Sequence, residues 1–341
     1  MGGHSDHRVQ VLVSFLIANW NSGRLLHECA QSLLGQTHVE FEVIIVDNGS
    51  TDGSEEIEAL ADRRFTLIKL PVNVGFSEAN NTAYTHSRGE IVVLLNNDVE
   101  LESHWTKEVL EAMSSQPDIG SVACQLLQKE KPAFLDSAGF SLYTCGSVFS
   151  WYDWHPDSVD HAKYRLFGPV AAAAAYRRSA LNEVGLFSPE YFAYYEDTDL
   201  AFRLNLAGYR CVYAKAAKGT HRGSATGKRA SDFQRFQLRR NIEYLFFSNM
   251  QGWLVWRCLP AHLSYEAMAL FGMAAQGQAG VWFKAKAAAW HMRRWISLRR
   301  QRTRALLDKQ GNLSARLEQV ASLLIPTTRL LSDRMGSAPS P

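Results

Sequence analysis

The sequence predicts an α/β protein with a mostly parallel central sheet and a helical C-terminal region. Three observations carry this. Short β-branched runs end in turn and acidic residues: Phe41-Glu42-Val43-Ile44-Ile45-Val46 runs into Asp47, and Ile91-Val92-Val93-Leu94-Leu95 runs into Asn96-Asn97-Asp98. Such runs read as buried parallel strands. Strand and helix patterns alternate from about residue 9 to 128, the rhythm of a sheet covered on both faces. From about Asp232 the pattern turns helical.

The elements follow in order. A first strand covers about Val9 to Ile17, and a helix carries Leu25, Leu26, Cys29 and Leu33 on one face. The second strand ends at Asp47, Gly49 and Gly53 supply turns, and a short helix starts near Ser54. Phe65 to Leu70 reads as a strand, Phe76 to Thr85 as a helix, His104 to Ser115 as a helix and Gly120 to Leu127 as a strand. Residues 129–167 are aromatic and irregular, with Trp151, Tyr152, Trp154 and His155. Such a segment either binds a ligand beside a site or covers the sheet. Asp153, His155, Asp157 and His161 match no metal-ligand spacing and read as a solvated loop. Val170 to Tyr176 is a strand of small residues, Arg178 to Val184 and Thr198 to Ala207 are helices, and the strand Arg210 to Ala214 leads towards His221. Gln234 to Ser248 is one helix.

Composition narrows the function. The 341 residues are 46% hydrophobic and 21% charged, enough apolar mass for a sizeable core. A net charge of +2 gives no reason to invoke nucleic acid. The five cysteines are scattered without a C-x-x-C pair, which argues against a disulfide framework and structural zinc and fits a reducing cytosol. Met1 to Gln10 is polar, without the apolar region of a signal peptide. No run reaches the roughly 18 apolar residues of a membrane span.

The chemistry concentrates in acidic clusters. Glu196-Asp197-Thr198-Asp199-Leu200 places three carboxylates where a loop enters a helix, a natural seat for a general base. The competing reading makes Asp197 only an N-cap. In open α/β sheets ligands bind beyond the carboxyl ends of strands, so Asp47 and Asp98 should face one crevice. Gly223 to Arg229 is one residue short of a phosphate-binding P-loop, with Arg229 in place of the Ser or Thr. It reads instead as a mobile loop, with Arg222, Lys228 and Arg229 on it or beside it.

Several blocks, taken in order, resemble inverting glycosyltransferases of family 2, which have the GT-A nucleotide-diphospho-sugar transferase fold. The resemblance is closest to the bacterial rhamnosyltransferases that act on lipid-linked sugars. The blocks are Ile17-Ala18-Asn19-Trp20-Asn21, Val46-Asp47-Asn48-Gly49-Ser50-Thr51-Asp52-Gly53-Ser54, Asn73-Val74-Gly75-Phe76 with Asn80-Asn81, and Leu94-Leu95-Asn96-Asn97-Asp98. They continue through Tyr176-Arg177-Arg178, Val184-Gly185-Leu186-Phe187 and Tyr195-Glu196-Asp197-Thr198-Asp199-Leu200 to His221. Together they span roughly residues 9 to 250.

The resemblance implies a catalytic base at Asp197 with Glu196 beside it. It implies a donor site of Asn19, Trp20, Asp47, Asn48, Gly75, Asn80, Asn96, Asn97 and Asp98, with Asp47 accepting from the imide N–H of uracil or thymine. Asp199, Arg203 and Trp151 would orient the acceptor or support the site. Asp98 and His221 would hold Mg²⁺ or Mn²⁺. Asn96 departs from the family's acidic D-x-D and leaves one carboxylate fewer. The implied donor is a dTDP- or UDP-linked sugar, with L-rhamnose the first choice, and the implied acceptor is a polyprenyl-diphosphate-linked saccharide.

The expected organisation is a disordered N-terminus over residues 1–8, a GT-A domain over 9–250, an amphipathic helical region over 251–335 and a disordered tail over 336–341. Beyond residue 250 lie Trp253, Trp256, Trp282, Trp290 and Trp295, interleaved with basic residues that include Arg293 and Arg294. Between Lys284 and Lys309 the only acid is Asp308. Aromatic rings with Lys and Arg fit helices lying on an anionic membrane surface, here the inner face of the plasma membrane. The alternatives are a soluble enzyme whose helices merely cap the domain, or a non-catalytic sugar-binding module. Oligomeric state is not legible.

Overall fold

The computed structural model describes residues 11–223, 231–310 and 313–329. The expectations for both chain ends, for Val9 and Gln10 in the first strand, and for Lys228 and Arg229 lie outside the described residues.

The first half alternates as the pattern predicts: β1 (Val13–Asn19), α1 (Leu25–Leu34), β2 (Phe41–Asp47), β3 (Phe65–Lys69), α2 (Phe76–His86), β4 (Ile91–Leu95), β5 (Val99–Leu101), α3 (Trp105–Ser114) and β6 (Ile119–Gln128). One expectation fails here. No helix starts at Ser54; the segment stays a loop until a 3₁₀ turn at Glu58–Ala61. The cause is Asp52, whose carboxylate accepts from the Gly23 and Ser54 amides and holds the loop against β1's exit.

The chain continues through β7 (Leu135–Ser137), β8 (Phe140–Leu142), β9 (Val148–Ser150), α4 (His161–Tyr164), β10 (Ala173–Arg177), α5 (Arg178–Val184), α6 (Glu196–Ala207) and β11 (Arg210–His221). The helices α7 (Asp232–Asn249), α8 (Trp253–Ala275), α9 (Ala279–His291), α10 (Arg293–Gln310) and α11 (Leu313–Leu323) complete it. None of the described helices is long and apolar enough to cross a membrane.

The main sheet runs β3-β2-β1-β4-β10-β6-β11-β5, with β7 added to β6. Strands β1 to β4 are parallel, as are β6 and β11. β10 enters antiparallel between β4 and β6. Its alanines let two parallel blocks close around it without bulky side chains between them. β5 pairs antiparallel with β11, which sets His221 opposite Val99, one residue from Asp98.

One core lies between the sheet and α1 and α3, around Phe15, Val43, Val93 and Trp105. A second, aromatic core joins residues 135–167 to α6 and the C-terminal helices. Trp151 belongs to it: the side chain is fully buried, with its ring edge-on to Phe149 and to the His161 imidazole. Its side chain is packed inside this core, and the aromatic segment around it covers the sheet. Asp153 meets Gln128 and Lys131, and Asp157 meets Lys215, so these acids are engaged in ordinary surface pairs.

The C-terminal helices are fastened to α6 by a buried ionic hub. Asp199 is fully buried. One oxygen accepts from Asn249 of α7; the other accepts from Arg203 of α6 and Arg299 of α10. Arg203 also donates to the carbonyls of Val184, Gly185 and Leu186. Burial opposes the Asp199 charge, but the two guanidiniums outweigh it and hold the carboxyl at about 2. Arg299 therefore faces inward. So do Lys286, bridged to Glu243 and Glu266, and Arg300, which donates to the Phe247 and Met250 carbonyls. Trp282 turns in as well, its indole N–H donating to Glu266. Of the residues expected at the membrane interface, Trp282 is therefore the one turned inward.

Removing the hub's acid leaves two buried guanidiniums uncompensated. Asp199→Asn should cost roughly 3–5 kcal/mol of unfolding free energy, read by urea denaturation. An unchanged midpoint would show that the arginines find other partners.

Candidate active site

The ends of β1, β2 and β4 are knitted by side-chain amides. Asn19 closes β1 beside Asp47, and its Nδ2 donates to Asp47 Oδ1 at 3.0 Å. Asn97 Nδ2 donates to Asn19 Oδ1 at 3.0 Å. Asp47 Oδ2 accepts from the Ser50 amide. Both Asp47 oxygens thus serve the fold, and the residue is only 3% exposed.

Next to this knot lies a cavity of about 410 Å³, within the size range of ligand pockets. Asn19, Trp20, Asn48 and Gly75 line it, as the sequence suggested. Asn73, Phe192, Tyr194 and Phe233 join them, without having been singled out as site residues. Asp47 is not on the wall; its neighbour Asn48 is, hydrogen-bonded to Asn73, Val74 and Gly75. Asn80 is also off the wall, because its amide donates to the Phe76 carbonyl one turn back. Gly75 is obligatory: its φ is +91°, and a Cβ would come within 2.7 Å of the Phe192 ring and carbonyl.

Asp98 meets His221 at the junction of β5 and β11. His221 Nε2 lies 3.1 Å from Asp98 Oδ1, and Nδ1 lies 2.7 Å from Asp136 Oδ2. Burial pulls the imidazole down, but the two carboxylates outweigh it and hold its pKa at about 10. Asp136 was missed by sequence reasoning. Its only signal is an acid inside the apolar stretch Phe134-Leu135-Asp136, and its partner is 85 residues away. Among the described residues no three His, Cys, Asp or Glu side chains form a ready cage for a metal.

The carboxylate pair Glu196-Asp197 opens α6. The helix begins at Glu196, earlier than the sequence suggested, and Tyr195 is the residue before it, in the left-handed conformation. Asp197 therefore sits inside the first turn and is not the N-cap. Its Oδ2 accepts from the Ala171 amide and its Oδ1 from Thr198. Ala172 next door accepts from the Asn96 amide, so the pair lies one strand from the Asp98 corner. Asn96 and Asn97 reach this corner, not the cavity wall.

The approach to α6 is strained. Phe192, Tyr194 and Tyr195 all have positive φ, a costly conformation for aromatic residues. Asn241 of α7 holds them there, its amide donating to the carbonyls of Tyr191, Ala193 and Tyr194. Sequence reasoning did not find Asn241, because nothing local marks it.

The two carboxyls are not equivalent. Burial, with Asp197 alongside, pushes Glu196 up to about 8. Its Oε2 is buried without a hydrogen-bond partner among the described residues. Burial also raises Asp197, but the amides of Ala171 and Thr198 favour its charged form. Asp197 is thus the member whose charge the backbone supports, and Glu196 the member that burial and its neighbour drive towards the neutral form. Paired carboxyls pushed apart in this way are a recurrent acid–base device.

A carboxyl whose pKa is raised by folding stabilises the fold only while protonated. The Glu196 contribution is complete below its ordinary value of 4.5 and is lost as pH rises through about 8. Melting temperature should fall across that window in the wild type, with a shallower slope in Glu196→Gln. Parallel slopes would show that Glu196 is ionised in the folded protein.

Comparisons place this geometry among known proteins. A family model described as Glycosyl transferase family 2 matches residues 14–185. An uncharacterized protein, y4gI of Sinorhizobium fredii, is 30% identical over 251 residues, covering 69% of this chain and 27% of its own length. The O-antigen biosynthesis protein RfbC of Myxococcus xanthus is 26% identical over 225 residues, 63% of this chain and 17% of its own length. The chain therefore spans about a quarter or less of these relatives. An N-acetylglucosaminyl-diphospho-decaprenol L-rhamnosyltransferase of Mycobacterium tuberculosis is 25% identical over 263 residues, 70% of this chain and 84% of its own length. Two solved structures share the fold. Mannosyltransferase PcManGT from Pyrobaculum calidifontis, in complex with GDP-Man and Mn²⁺, has a TM-score of 0.52 at 18% identity, over 88% of each chain. S. aureus TarS 1-349 has a TM-score of 0.54 at 17% identity, over 88% of this chain and 92% of its own.

Proposed function

The chain belongs to glycosyl transferase family 2, and on that premise we propose that it is a metal-dependent inverting hexosyltransferase. The observation that carries the reading is the Glu196-Asp197 pair, one carboxyl accepting from two backbone amides and one with an oxygen buried without a partner among the described residues, a strand away from Asp98 and His221. Asp197 takes the proton of an acceptor hydroxyl. The hydroxyl oxygen bonds to the anomeric carbon from the face opposite the diphosphate. The carbon–oxygen bond to the diphosphate breaks, and its electron pair leaves on the nucleoside diphosphate. Glu196, as a neutral acid, donates to an acceptor oxygen and orients it.

Asp98 and His221 fit a divalent cation, Mg²⁺ or Mn²⁺. They would offer one hard oxygen and, once the cation displaces the proton between His221 Nε2 and Asp98, one imidazole, with Asp136 orienting the ring from behind, and such cations complete their shell from substrate phosphates and water. When bound, the cation supplies charge neutralisation at the leaving diphosphate. The cavity beside Asn48 takes the donor's base and sugar, with Asp47 acting through Asn19 and the Ser50 loop.

The mycobacterial relative's name supports L-rhamnose as the sugar and a polyprenyl-diphosphate-linked saccharide as the acceptor; the donor we take first is dTDP-L-rhamnose, with a UDP-linked sugar as the alternative. O-antigen or other cell-surface polysaccharide synthesis is the matching setting. We place the protein peripherally on the inner face of the plasma membrane. Residues 9–250 act as the catalytic unit, and the helices beyond them act as the membrane-facing region. Trp253, Trp256, Trp290 and Trp295 are exposed there, as are Arg293 and Arg294. A second reading, an enzyme on a soluble acceptor, is favoured by the inward packing of Trp282, Lys286, Arg299 and Arg300.

Asp197→Asn should lower kcat roughly a hundredfold while leaving nucleotide binding intact. Excess chelator should abolish transfer by the wild type, and Mg²⁺ or Mn²⁺ should restore it. Wild-type turnover in the variant, or full activity in chelator, would each remove the corresponding part of the mechanism.

Truncation near residue 250 is not a clean test of membrane binding, because it deletes Arg299 from the Asp199 hub. Surface substitutions serve instead. The intact protein should bind phosphatidylglycerol vesicles, more weakly at 1 M salt, where the screening length is about 3 Å. Trp256→Ser with Arg294→Ser should weaken binding further. No binding at low salt would favour the soluble-acceptor reading.

A further inference from the structure

A second cavity, of about 640 Å³, is walled by α7, α8, α9 and α10 and takes no part in the chemistry above. Phe247, Leu270, Ala289 and Ile296 make its walls apolar. Leu263 and Trp290 line it and are yet 58% and 68% exposed, so they form its mouth. The mouth thus shares a surface with exposed Phe271 and Phe283 on the same helices.

The polar groups on the floor are already spent on one another. Glu243 accepts from His262 and Lys286. Glu266 pairs with Arg239 and Lys286 and accepts from the Trp282 indole. Nothing there calls for a polar ligand. The rim is different: Arg293 is exposed, with its guanidinium 5.4 Å from the Trp290 ring centre. Lys284 and Arg294 are exposed on the same helices, and Glu266, the single acid between Trp253 and Leu307, is buried. An apolar interior with a cationic mouth is complementary to a hydrocarbon chain that carries an anionic head.

We propose that this cavity holds the phosphate-proximal isoprene units of a polyprenyl-phosphate-type lipid, with Arg293 at its phosphate. The proposal rests on the reading of a lipid-linked acceptor and names where its tail goes. The placement is suited to the chemistry, because α7 separates the two sites. One side of α7 gives Glu243 and Phe247 to the cavity, and Asn241 and Asn249 hold the catalytic loop and the Asp199 hub. A helix with its side chains is about 10–12 Å across, so the cavity and the elements that hold the carboxylate pair are neighbours across one helix.

The test uses the full chain and undecaprenyl phosphate carrying a diazirine on an isoprene unit close to the phosphate. Photolabelling should fall on peptides of α8 and α9 containing Leu263 to Leu270 and Trp282 to Trp290. Unlabelled undecaprenyl phosphate should compete. Ala267→Trp fills the mouth from an exposed position, and Leu263→Glu places an acid there. Each should lower labelling at least tenfold, with circular dichroism and donor hydrolysis unchanged. Labelling elsewhere, indifference to both variants, or equal competition by phosphatidylglycerol would overturn the proposal. Labelling of the cavity with no transfer to any lipid-linked saccharide would instead leave the chain site standing and remove the acceptor reading. Transfer to lipid-linked saccharides without labelling here would do the reverse.

Discussion

The structure depends on one buried carboxylate. Asp199 is two residues past the candidate base and joins α6, α7 and α10 through Arg203, Asn249 and Arg299. Two guanidiniums on one carboxylate would be a poor arrangement if the rest of their donors were idle. Arg203 avoids this by capping three carbonyls at the end of α5. Arg299 Nε and Asn249 Oδ1 stay buried without a partner among the described residues, so what fixes the helices is the pairing with Asp199 itself, since removing it would leave both guanidiniums uncompensated. The C-terminal helices are thus a structural part of the catalytic helix, whatever they touch on their outer side.

The two sides of the candidate site are built by opposite means. The Asp98 corner follows from sheet pairing: β5 and β11 lie antiparallel, and the register alone sets His221 beside Asp98. The Glu196-Asp197 side follows from local strain. Three aromatic residues in the left-handed region turn the chain sharply into α6 and free its first turn for function rather than capping. Asn241 offsets that strain with donors aimed at three carbonyls. Strain of this kind, held by distant residues, is typical of functional sites.

What the sequence revealed follows the same division. Strands β2 and β4 were legible because a parallel strand buried on both faces is continuously apolar, and the acids at their ends were legible with them. The start of α6 was not, because Tyr194 and Tyr195 carry no local sign of a left-handed backbone. Asp136 and Asn241 were invisible for the same reason: each acts on a segment tens of residues away. Composition could show that the C-terminal helices are basic and aromatic, but not which way Trp282, Lys286 and Arg299 face. Their acidic partners Glu266, Glu243 and Asp199 decide that, and Asp199 lies 100 residues upstream of Arg299. Asp47 and Asn48 illustrate a finer limit. Adjacent residues at a strand end point to opposite sides, so a one-residue shift separates the pocket wall from its buttress.

The sequence distance inside the Asp199 hub also sets an order of events during synthesis. Domains tend to fold as the chain emerges, and long-range contacts form late. The Asp98 corner needs nothing beyond His221, and so can assemble while the last third of the chain is still unmade. The catalytic turn needs Asn241, and its anchor needs Arg299. In a nascent chain the Asp98–His221 corner can therefore close before the Glu196-Asp197 turn is fastened in place.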